Sequence, residues 1–263
     1  MSPGHKAKPA VHKAGPSVPK AGPPAPAAAP AKKQRAKTGP APALEAIGVG
    51  KRYGDLVALS PLEVSITDGE AVALIGHNGS GKTTLLRMAA GLLEPSDGSL
   101  EVYGQPAGSL AARAALSYIS DQPTFYDDLS VWEHLEYTAR LHDMDDWEQR
   151  AADLLGAVGL YERADDLPNT FSRGLRQKAS IAIGLLRPFR ILLVDEPFVG
   201  LDASGKAALI ELLDDAGQQG AALLVATHDL EFVSRVERCL ALRDGGLVHD
   251  GATGDIDVLD LVT

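Results

Sequence analysis

The feature that most constrains the fold is a glycine-rich segment between an apolar run and a helical pattern. Residues 76–83 read Gly-His-Asn-Gly-Ser-Gly-Lys-Thr, which fits G-x-x-x-x-G-K-[ST]. The apolar run 71–75 precedes this segment, and apolar side chains recur at helical spacing after Gly81. Glycines let such a loop curl until its N–H groups and the next helix N-terminus face phosphate oxygens. The pattern predicts a phosphate-binding loop between a strand and a helix.

Each position of this loop has a predicted contact with a bound nucleotide. Lys82 is expected to bridge the β- and γ-phosphates, Thr83 to bind Mg²⁺, and Thr84 to contact an α-phosphate oxygen. The complete set of predicted loop residues is Gly76, His77, Asn78, Gly79, Ser80, Gly81, Lys82, Thr83 and Thr84.

Two further apolar runs end in polar side chains. The run 191–194 is followed by Asp195 and Glu196, and a later run, 223–226, is followed by Thr227 and His228. Adjacent carboxylates after a buried strand suit a cation or a reacting water. We expect Asp195 to hold Mg²⁺, Glu196 to be the general base, and His228 to orient the water near the γ-phosphate. Alone, these residues are also typical of helix entries and caps, but beside the phosphate loop they predict Mg²⁺-dependent nucleotide hydrolysis.

The composition divides the chain into an N-terminal tail and a folded body. Residues 1–43 contain ten of the 17 prolines, eight Lys or Arg and no acidic residue, which predicts a disordered basic tail. The remaining 220 residues contain 17 basic and 35 acidic side chains. Because nucleic-acid binding rests on Lys and Arg that neutralise phosphates, no specific nucleic-acid partner is expected for the body. The tail has two open interpretations: a solvated spacer, or a basic contact with anionic lipid or RNA.

The body alternates short apolar strands with helices, which predicts an α/β fold with mainly parallel strands. Helices are expected over residues 131–141, 147–158, 174–186 and 203–216 and from Asp229 onward. Turn signals at residues 67–69 and 97–98 suggest antiparallel pairing near the start of the body. A single cysteine and the absence of a run long enough to span a bilayer favour a cytoplasmic location.

Taken in order, the motifs resemble those of the ATP-binding subunits of ABC transporters, and the resemblance covers residues 44–263. It implies a P-loop NTPase core with a mixed, mainly parallel sheet, an N-terminal antiparallel β subdomain and an inserted helical subdomain at about residues 125–186. It also implies ATP and Mg²⁺ as ligands. Roles carried over from the family are adenine stacking for Tyr53, Mg²⁺ and partner sensing for Gln122, signature contacts for Ser172 and Gly174, a D-loop role for Asp202 and a switch role for His228.

The signature region departs from the family pattern Leu-Ser-Gly-Gly-Gln. Ser172 and Gly174 are kept, while Arg173 and Leu175 replace a glycine and the glutamine. In the family the signature of one subunit closes over the γ-phosphate held by the other, so the resemblance implies a head-to-tail dimer with a second copy or a homologous ATPase subunit. The sequence of residues 171–178 resembles that of the family branch that exports drugs, haem or polysaccharide.

The resemblance further implies a membrane-spanning partner at the inner face of the membrane, whose coupling helices would meet the helical subdomain. Candidate groove residues are Phe125, Tyr126, Val131 and Trp132, with core packing as the alternative. The leading hypothesis is an ATP-hydrolysing subunit that powers transport, with export favoured over import. The alternatives are a soluble ABC-type ATPase acting on ribosomes or nucleic acid, and a regulatory subunit with weak hydrolysis.

Overall fold

A computed structural model describes residues 40–255 of the chain. Most of the predicted basic tail and the last eight residues of the predicted 44–263 domain therefore lie outside the described residues. Ala43, the last residue of the predicted tail, is fully buried and its carbonyl accepts the Tyr103 N–H at 3.2 Å. The folded part thus begins by residue 43.

Two sheets form the framework. The four-stranded antiparallel sheet has the order β2-β1-β4-β5, and the six-stranded sheet has the order β10-β9-β3-β8-β7-β6. The strands are β1 Leu44–Tyr53, β2 Leu56–Ile66, β3 Ala71–Ile75, β4 Asp97–Val102, β5 Gln105–Pro106, β6 Leu116–Ile119, β7 Ile191–Asp195, β8 Ala222–Ala226, β9 Arg238–Arg243 and β10 Gly246–Ala252. In the larger sheet β6, β7, β8, β3 and β9 run parallel, and only β10 is antiparallel.

Seven α-helices cover or extend this framework over the described residues. They are α1 Lys82–Ala89, α2 Leu110–Ala115, α3 Val131–Leu141, α4 Trp147–Ala157, α5 Arg173–Leu186, α6 Ala203–Gln218 and α7 Leu230–Val233. α3 begins at the predicted residue because Ser130 and Glu133 form a capping box. α5 ends at Leu186 because Pro188 cannot continue the helix. The helix predicted from Asp229 onward is a single turn.

The central strands are apolar on both faces, as parallel strands covered on both sides require. In β7, for example, Leu192 and Val194 pack towards α3–α6, while Ile191 and Leu193 pack towards α1 and the antiparallel sheet. The two faces thus separate two hydrophobic cores, and the polar residues that follow the strands emerge at one edge of the sheet. The predicted fold class is confirmed.

The antiparallel pairing predicted near the start of the body is confirmed, because β1 pairs with β2 and β4, but neither of the two predicted turns joins paired strands. Residues 67–69 join β2 to β3, which belong to different sheets, and Asp97-Gly98 lies at the start of β4. A Cβ at Gly98 would lie 2.3 Å from the carbonyl oxygens of Ile47 and Gly48, so this glycine permits a close approach to β1 and makes no hairpin turn. The hairpin turns in this region are Gly54-Asp55, between β1 and β2, and Tyr103-Gly104, between β4 and β5.

Within residues 40–255, no helix combines the length and the apolar character needed to cross a bilayer.

Candidate active site

The glycine-rich loop connects β3 to α1, as predicted. Gly76 and Gly81 have φ values of 146° and 108°, which favour glycine. A Cβ at Gly76 would lie 2.2 Å from the Leu242 carbonyl oxygen, and one at Gly81 would lie 2.9 Å from Leu59 Cδ1. The loop is therefore enclosed by β9 on one side and β2 on the other, and its first and last glycines cannot be replaced without displacing backbone or core.

The remaining loop residues differ in exposure. Asn78 and Gly79 are exposed, whereas Ser80 is buried and its hydroxyl has no hydrogen-bond partner among the described residues. The His77 ring nitrogen Nε2 lies 3.3 Å from Asp244 Oδ1 in the β9–β10 turn, which ties the loop to the sheet edge. The unpaired Ser80 hydroxyl leaves a polar group free to contact a phosphate oxygen.

Lys82 is only 6% exposed and lies at the centre of the site. Its Nζ donates to the carbonyl oxygens of Gly76 at 2.6 Å and His77 at 3.3 Å. The same Nζ lies 3.2 Å from Glu196 Oε1. The ammonium group therefore sits inside the loop, where a phosphate would meet it.

Asp195 and Glu196 follow β7 at the same edge of the sheet. Asp195 is fully buried, and its Oδ1 has no hydrogen-bond partner among the described residues. Burial raises the pKa of Asp195 to about 6, and a hydrogen bond with Thr83 acts in the opposite direction. An orphaned, buried carboxylate oxygen beside a threonine hydroxyl is an oxygen donor set that suits Mg²⁺. These two residues fit the metal that the sequence predicts.

Glu196 adopts a left-handed backbone with φ 46°, and its N–H donates to the Ala226 carbonyl at 2.8 Å. Its carboxylate lies between two cationic or potentially cationic groups: Oε1 faces Lys82, and Oε2 is 2.9 Å from His228 Nδ1. Neither of these two contacts has the alignment of a hydrogen bond. Both carboxylate oxygens therefore keep lone pairs that can accept from a further donor such as water. The strained backbone turns the side chain into the site.

Gln122 is not brought to this cluster. Its side chain is exposed and its Nε2 donates to Asp121 Oδ2 at 3.4 Å. Gln122 lines a groove of about 850 Å³ between the sheet and the helices α3 and α5. Asp121 instead lies 3.8 Å from Arg87 and acts electrostatically on Asp195.

The signature residues and Asp202 form a separate group. Ser172 caps α5, because its hydroxyl accepts the Leu175 N–H at 3.4 Å, and a Cβ at Gly174 would lie 2.4 Å from the Gly200 carbonyl oxygen. Asp202 caps α6 and lies 3.0 Å from Lys178 Nζ. The hydrogen bond from Lys178 lowers the pKa of Asp202 to about 2.

Across residues 40–255, no hydrogen bond or ion pair joins the start of α5 to the glycine-rich loop. Arg173, which replaces the family glycine, is exposed, and its stem packs over Gly200 with Cγ and Cδ 3.7 Å from the Cβ position there. One chain therefore holds the phosphate loop and the signature in separate places.

Tyr53 ends β1 with 53% of its surface exposed, and Lys51 Nζ lies 5.1 Å from the ring centroid. Leu59, which pairs with Lys51 in the β1–β2 hairpin, packs against Gly81. The hairpin that holds Tyr53 thus contacts the phosphate loop, and the exposed ring is free to stack on a base.

Two of the four groove candidates line the groove. Phe125 and Tyr126 line it, but Val131 is fully buried in the core and Trp132 packs against Trp147 with ring centroids 5.2 Å apart. For Val131 and Trp132 the core-packing alternative is the correct one. The apolar and aromatic lining of the groove includes Leu92, Phe125, Tyr126, Tyr137, Leu141 and Ile183.

Sequence reasoning missed three residues near the carboxylates: Arg87, Tyr118 and Asp121. Tyr118 OH lies 3.5 Å from Asp195 Oδ2, and burial raises its pKa, as does the charge of Asp195. Arg87 hydrogen-bonds Tyr118 and lies near Asp121. The available signal was the parallel pairing of β6 with β7, which places the residues after Ile119 beside those after Val194.

Comparison with known proteins decides the family. Residues 59–199, more than half of the chain, match the family described as ABC transporter. The chain belongs to the ABC transporter family. It is 35% identical over 210 residues to the SkfA peptide export ATP-binding protein SkfE of Bacillus subtilis (strain 168), and this alignment covers 79% of the chain and 88% of SkfE.

Relatives of this ABC transporter chain include importers. It is 35% identical over 209 residues to the aliphatic sulfonates import ATP-binding protein SsuB 1 of Rhodococcus jostii (strain RHA1), covering 79% of the chain and 82% of that protein. Among solved structures, a dimeric post-hydrolysis state of the ATP-binding cassette MJ0796 bound to ADP and Pi superposes with a TM-score of 0.73 at 25% identity, covering 80% of this chain and 98% of that one. The chain is a Mg²⁺-dependent ATPase of the ABC transporter family.

Proposed function

We propose that this chain is the ATP-hydrolysing subunit of an exporter and acts as a head-to-tail pair bound to a separate membrane-spanning partner. The observation that supports hydrolysis most directly is the meeting of Lys82, Asp195 and Glu196 at one edge of the parallel sheet. The proposed direction of transport, export, is supported by the exporter-like sequence of residues 171–178. The proposed location is the cytoplasm, at the inner face of the membrane.

The proposed chemistry is positioning and charge neutralisation. Thr83 and Asp195 would hold Mg²⁺, which supplies positive charge to the phosphate oxygens. Lys82, now bonded to backbone carbonyls of the loop, would exchange these for the β- and γ-phosphates. Glu196 would accept the proton of the attacking water on one of its unpaired oxygens, and His228, 2.9 Å away, would orient the carboxylate and the water.

The proposed nucleotide cradle includes the backbone of residues 76–81, the Ser80 hydroxyl and Thr84. The Tyr53 ring would stack on adenine. Because the start of α5 lies apart from the phosphate loop of its own chain, Ser172, Gly174 and Asp202 would act on the nucleotide held by the other subunit. The serine hydroxyl and the N–H groups at a helix start are donors suited to a phosphate.

The groove beside Gln122 is the proposed docking surface for the membrane-spanning partner. Its exposed residues include Tyr126, Tyr137 and Leu141, which are 54%, 46% and 64% exposed. Exposed apolar side chains clustered in a groove are typical of helix-in-groove contacts. In this position Gln122 would contact the partner.

The test is purification of a tagged Glu196→Gln chain with ATP and Mg²⁺ from detergent-solubilised membranes, followed by mass spectrometry. The expected result is a stoichiometric multi-span membrane protein that is lost when Leu141→Asp is added. Ribosomal proteins or nucleic acid in its place, unaffected by Leu141→Asp, would support the soluble alternative. Transport direction is then measured with the purified pair in sealed vesicles.

A weakly hydrolysing regulatory subunit is the second candidate, because Arg173 and Leu175 alter the signature. The rate of phosphate release by the purified wild-type chain distinguishes the hydrolysing transport subunit from the regulatory subunit. Turnover at the level of Glu196→Gln would support the regulatory subunit, and turnover well above that level would exclude it.

A further inference from the structure

The turn between β9 and β10 lies against the glycine-rich loop. Its two central residues, Asp244 and Gly245, both have left-handed backbones, with φ values of 49° and 77°. The Gly245 N–H donates to the Ser80 carbonyl at 3.2 Å, and the Gly245 carbonyl accepts the Ser60 N–H of β2 at 2.7 Å. An Asp-Gly pair with two left-handed residues is typical of the type I′ turn, which has a closely defined geometry. The turn therefore presents Asp244 to the loop in a defined position.

His77, the second residue of the loop, is the residue that meets Asp244. Its Nε2 lies 3.3 Å from Asp244 Oδ1, and the Asp244 N–H points to the same nitrogen at 3.4 Å. The other ring nitrogen, Nδ1, lies 2.9 Å from the Asn78 carbonyl oxygen. Because a carbonyl oxygen can only accept a hydrogen bond, this contact assigns a proton to Nδ1. Nε2 is then the nitrogen that gains or loses a proton.

The two protonation states of the His77 ring make different contacts with the turn. In the neutral ring, Nε2 accepts the Asp244 N–H over 3.4 Å, while its lone pair faces a carboxylate oxygen. In the charged ring, Nε2 donates to that oxygen, and the hydrogen bond is charge-assisted. The charged state therefore joins the start of the loop to the turn more strongly than the neutral state does.

The charges around this pair bear on the same equilibrium. Lys82 Nζ donates to the His77 carbonyl oxygen at 3.3 Å and lies 3.2 Å from Glu196 Oε1, and the exposed Arg243 precedes Asp244 on β9. A phosphate bound in the loop adds negative charge, which favours the charged form of a nearby imidazole. Imidazole is the side chain whose charge changes between roughly pH 5 and 8. Nucleotide binding and protonation of the His77 ring should therefore favour each other.

We propose that His77 is a positioning residue whose charged ring, paired with Asp244, fixes the start of the phosphate loop against the β9–β10 turn and so strengthens nucleotide binding. The inference rests on the proposed nucleotide site. The contact between Gly245 and Ser80 involves backbone groups that do not titrate, so it holds the later part of the loop at every pH. Affinity for the nucleotide should consequently fall over the pH range in which imidazole loses its charge.

The test compares ADP binding by the full-length wild type and by His77→Gln, using isothermal titration calorimetry in EDTA at pH 6 and pH 8. Gln keeps a side chain that forms hydrogen bonds but cannot gain a charge. The measured quantity is the ratio of wild-type to variant affinity at each pH, because ionisation of the ADP phosphates and of His228 is common to both chains. This ratio is expected to fall by about two- to fivefold from pH 6 to pH 8, the contribution of an exposed ion pair.

Two further variants test whether the effect acts through the turn. Asp244→Asn removes the carboxylate but keeps a residue that suits the type I′ turn, and it should lose most of the wild-type pH dependence. His249→Gln is the matched control, because it removes a histidine of β10 whose Nε2 lies 3.3 Å from the Ala252 carbonyl oxygen. It should keep the wild-type pH dependence. The proposal is overturned if Asp244→Asn keeps that dependence or if His249→Gln loses it.

Failure of the proposed nucleotide site and failure of the role of His77 give different results. A wild-type chain that binds no ADP, with or without Mg²⁺, would overturn the nucleotide site itself. A wild-type chain that binds ADP, with His77→Gln weaker by the same factor at both pH values, would overturn only the role of the charged ring. That result indicates a purely structural contribution of the side chain, and an affinity equal to wild type at both pH values would overturn the role as well.

Discussion

Replacing Glu196 by Gln tests the proposed chemistry most directly. The carboxylate lies 3.2 Å from Lys82 Nζ and 2.9 Å from His228 Nδ1, with both oxygens free of aligned donors. Gln has nearly the same shape but cannot accept a proton at neutral pH. Loss of a general base costs roughly 10²- to 10⁴-fold in rate, which corresponds to about 3–5 kcal/mol of transition-state stabilisation.

ATP binding by Glu196→Gln should be kept or strengthened, although hydrolysis is lost. Glu196 competes with phosphate for the Lys82 ammonium in the nucleotide-free chain, since the charged groups are 3.2 Å apart. Removing its charge also removes a repulsion from the phosphates, so ATP affinity should be kept or increased. A chain that binds but does not hydrolyse should accumulate as an ATP-dependent dimer.

The assay combines phosphate release with light scattering at defined ATP and Mg²⁺ concentrations. Glu211→Gln, which neutralises an exposed carboxylate on α6, is the matched control and should hydrolyse ATP at the wild-type rate. Hydrolysis by Glu196→Gln within about tenfold of wild type would refute the role of Glu196 as the base.

Three further predictions concern stability and base stacking. The pKa of Asp195 is raised by burial to about 6, so the nucleotide-free wild type loses stability as pH rises from about 4 to 6. Relative to wild type, Asp195→Asn should gain up to about 3 kcal/mol in free energy of unfolding at pH 8 and about half of that at pH 5. Urea unfolding in EDTA measures this difference, and a difference that does not change with pH would contradict the prediction. Gly174→Ala should destabilise the fold by about 1–3 kcal/mol, because its Cβ would lie 2.4 Å from the Gly200 carbonyl oxygen. The control Gly156→Ala on α4, whose Cβ would meet open space, should not destabilise the fold in the same thermal unfolding measurement. Tyr53→Ala should weaken binding of a fluorescent ATP analogue about 3- to 10-fold while Tyr53→Trp restores it, and an equal loss in the exposed control Tyr161→Ala would argue against stacking.

Local rules in the sequence were sufficient for much of the fold. The helix over residues 131–141 was predicted with its observed bounds, because a capping box and an apolar stripe act within one or two turns. The glycine-rich pattern predicted a loop that curls between a strand and a helix, and the structure adds that Gly76 and Gly81 approach β9 and β2 too closely to allow a Cβ. Apolar runs ending in Asp195 and His228 likewise indicated the edge of the sheet at which the polar groups meet.

The sequence by itself thus determined the apolar strands, the phosphate loop and the helix starts other than that of α2, which was not predicted, since each depends on neighbours a few residues away. Only the tertiary structure decided that Asp97-Gly98 pairs with β1, that Val131 is buried, and that Asp121 lies near Arg87 while Gln122 lines the groove. These outcomes depend on which strands and helices become neighbours in space. Two adjacent polar residues after a strand have similar local preferences, and their neighbours in space distinguish them: Arg87 of α1 for Asp121, and the groove residues for Gln122.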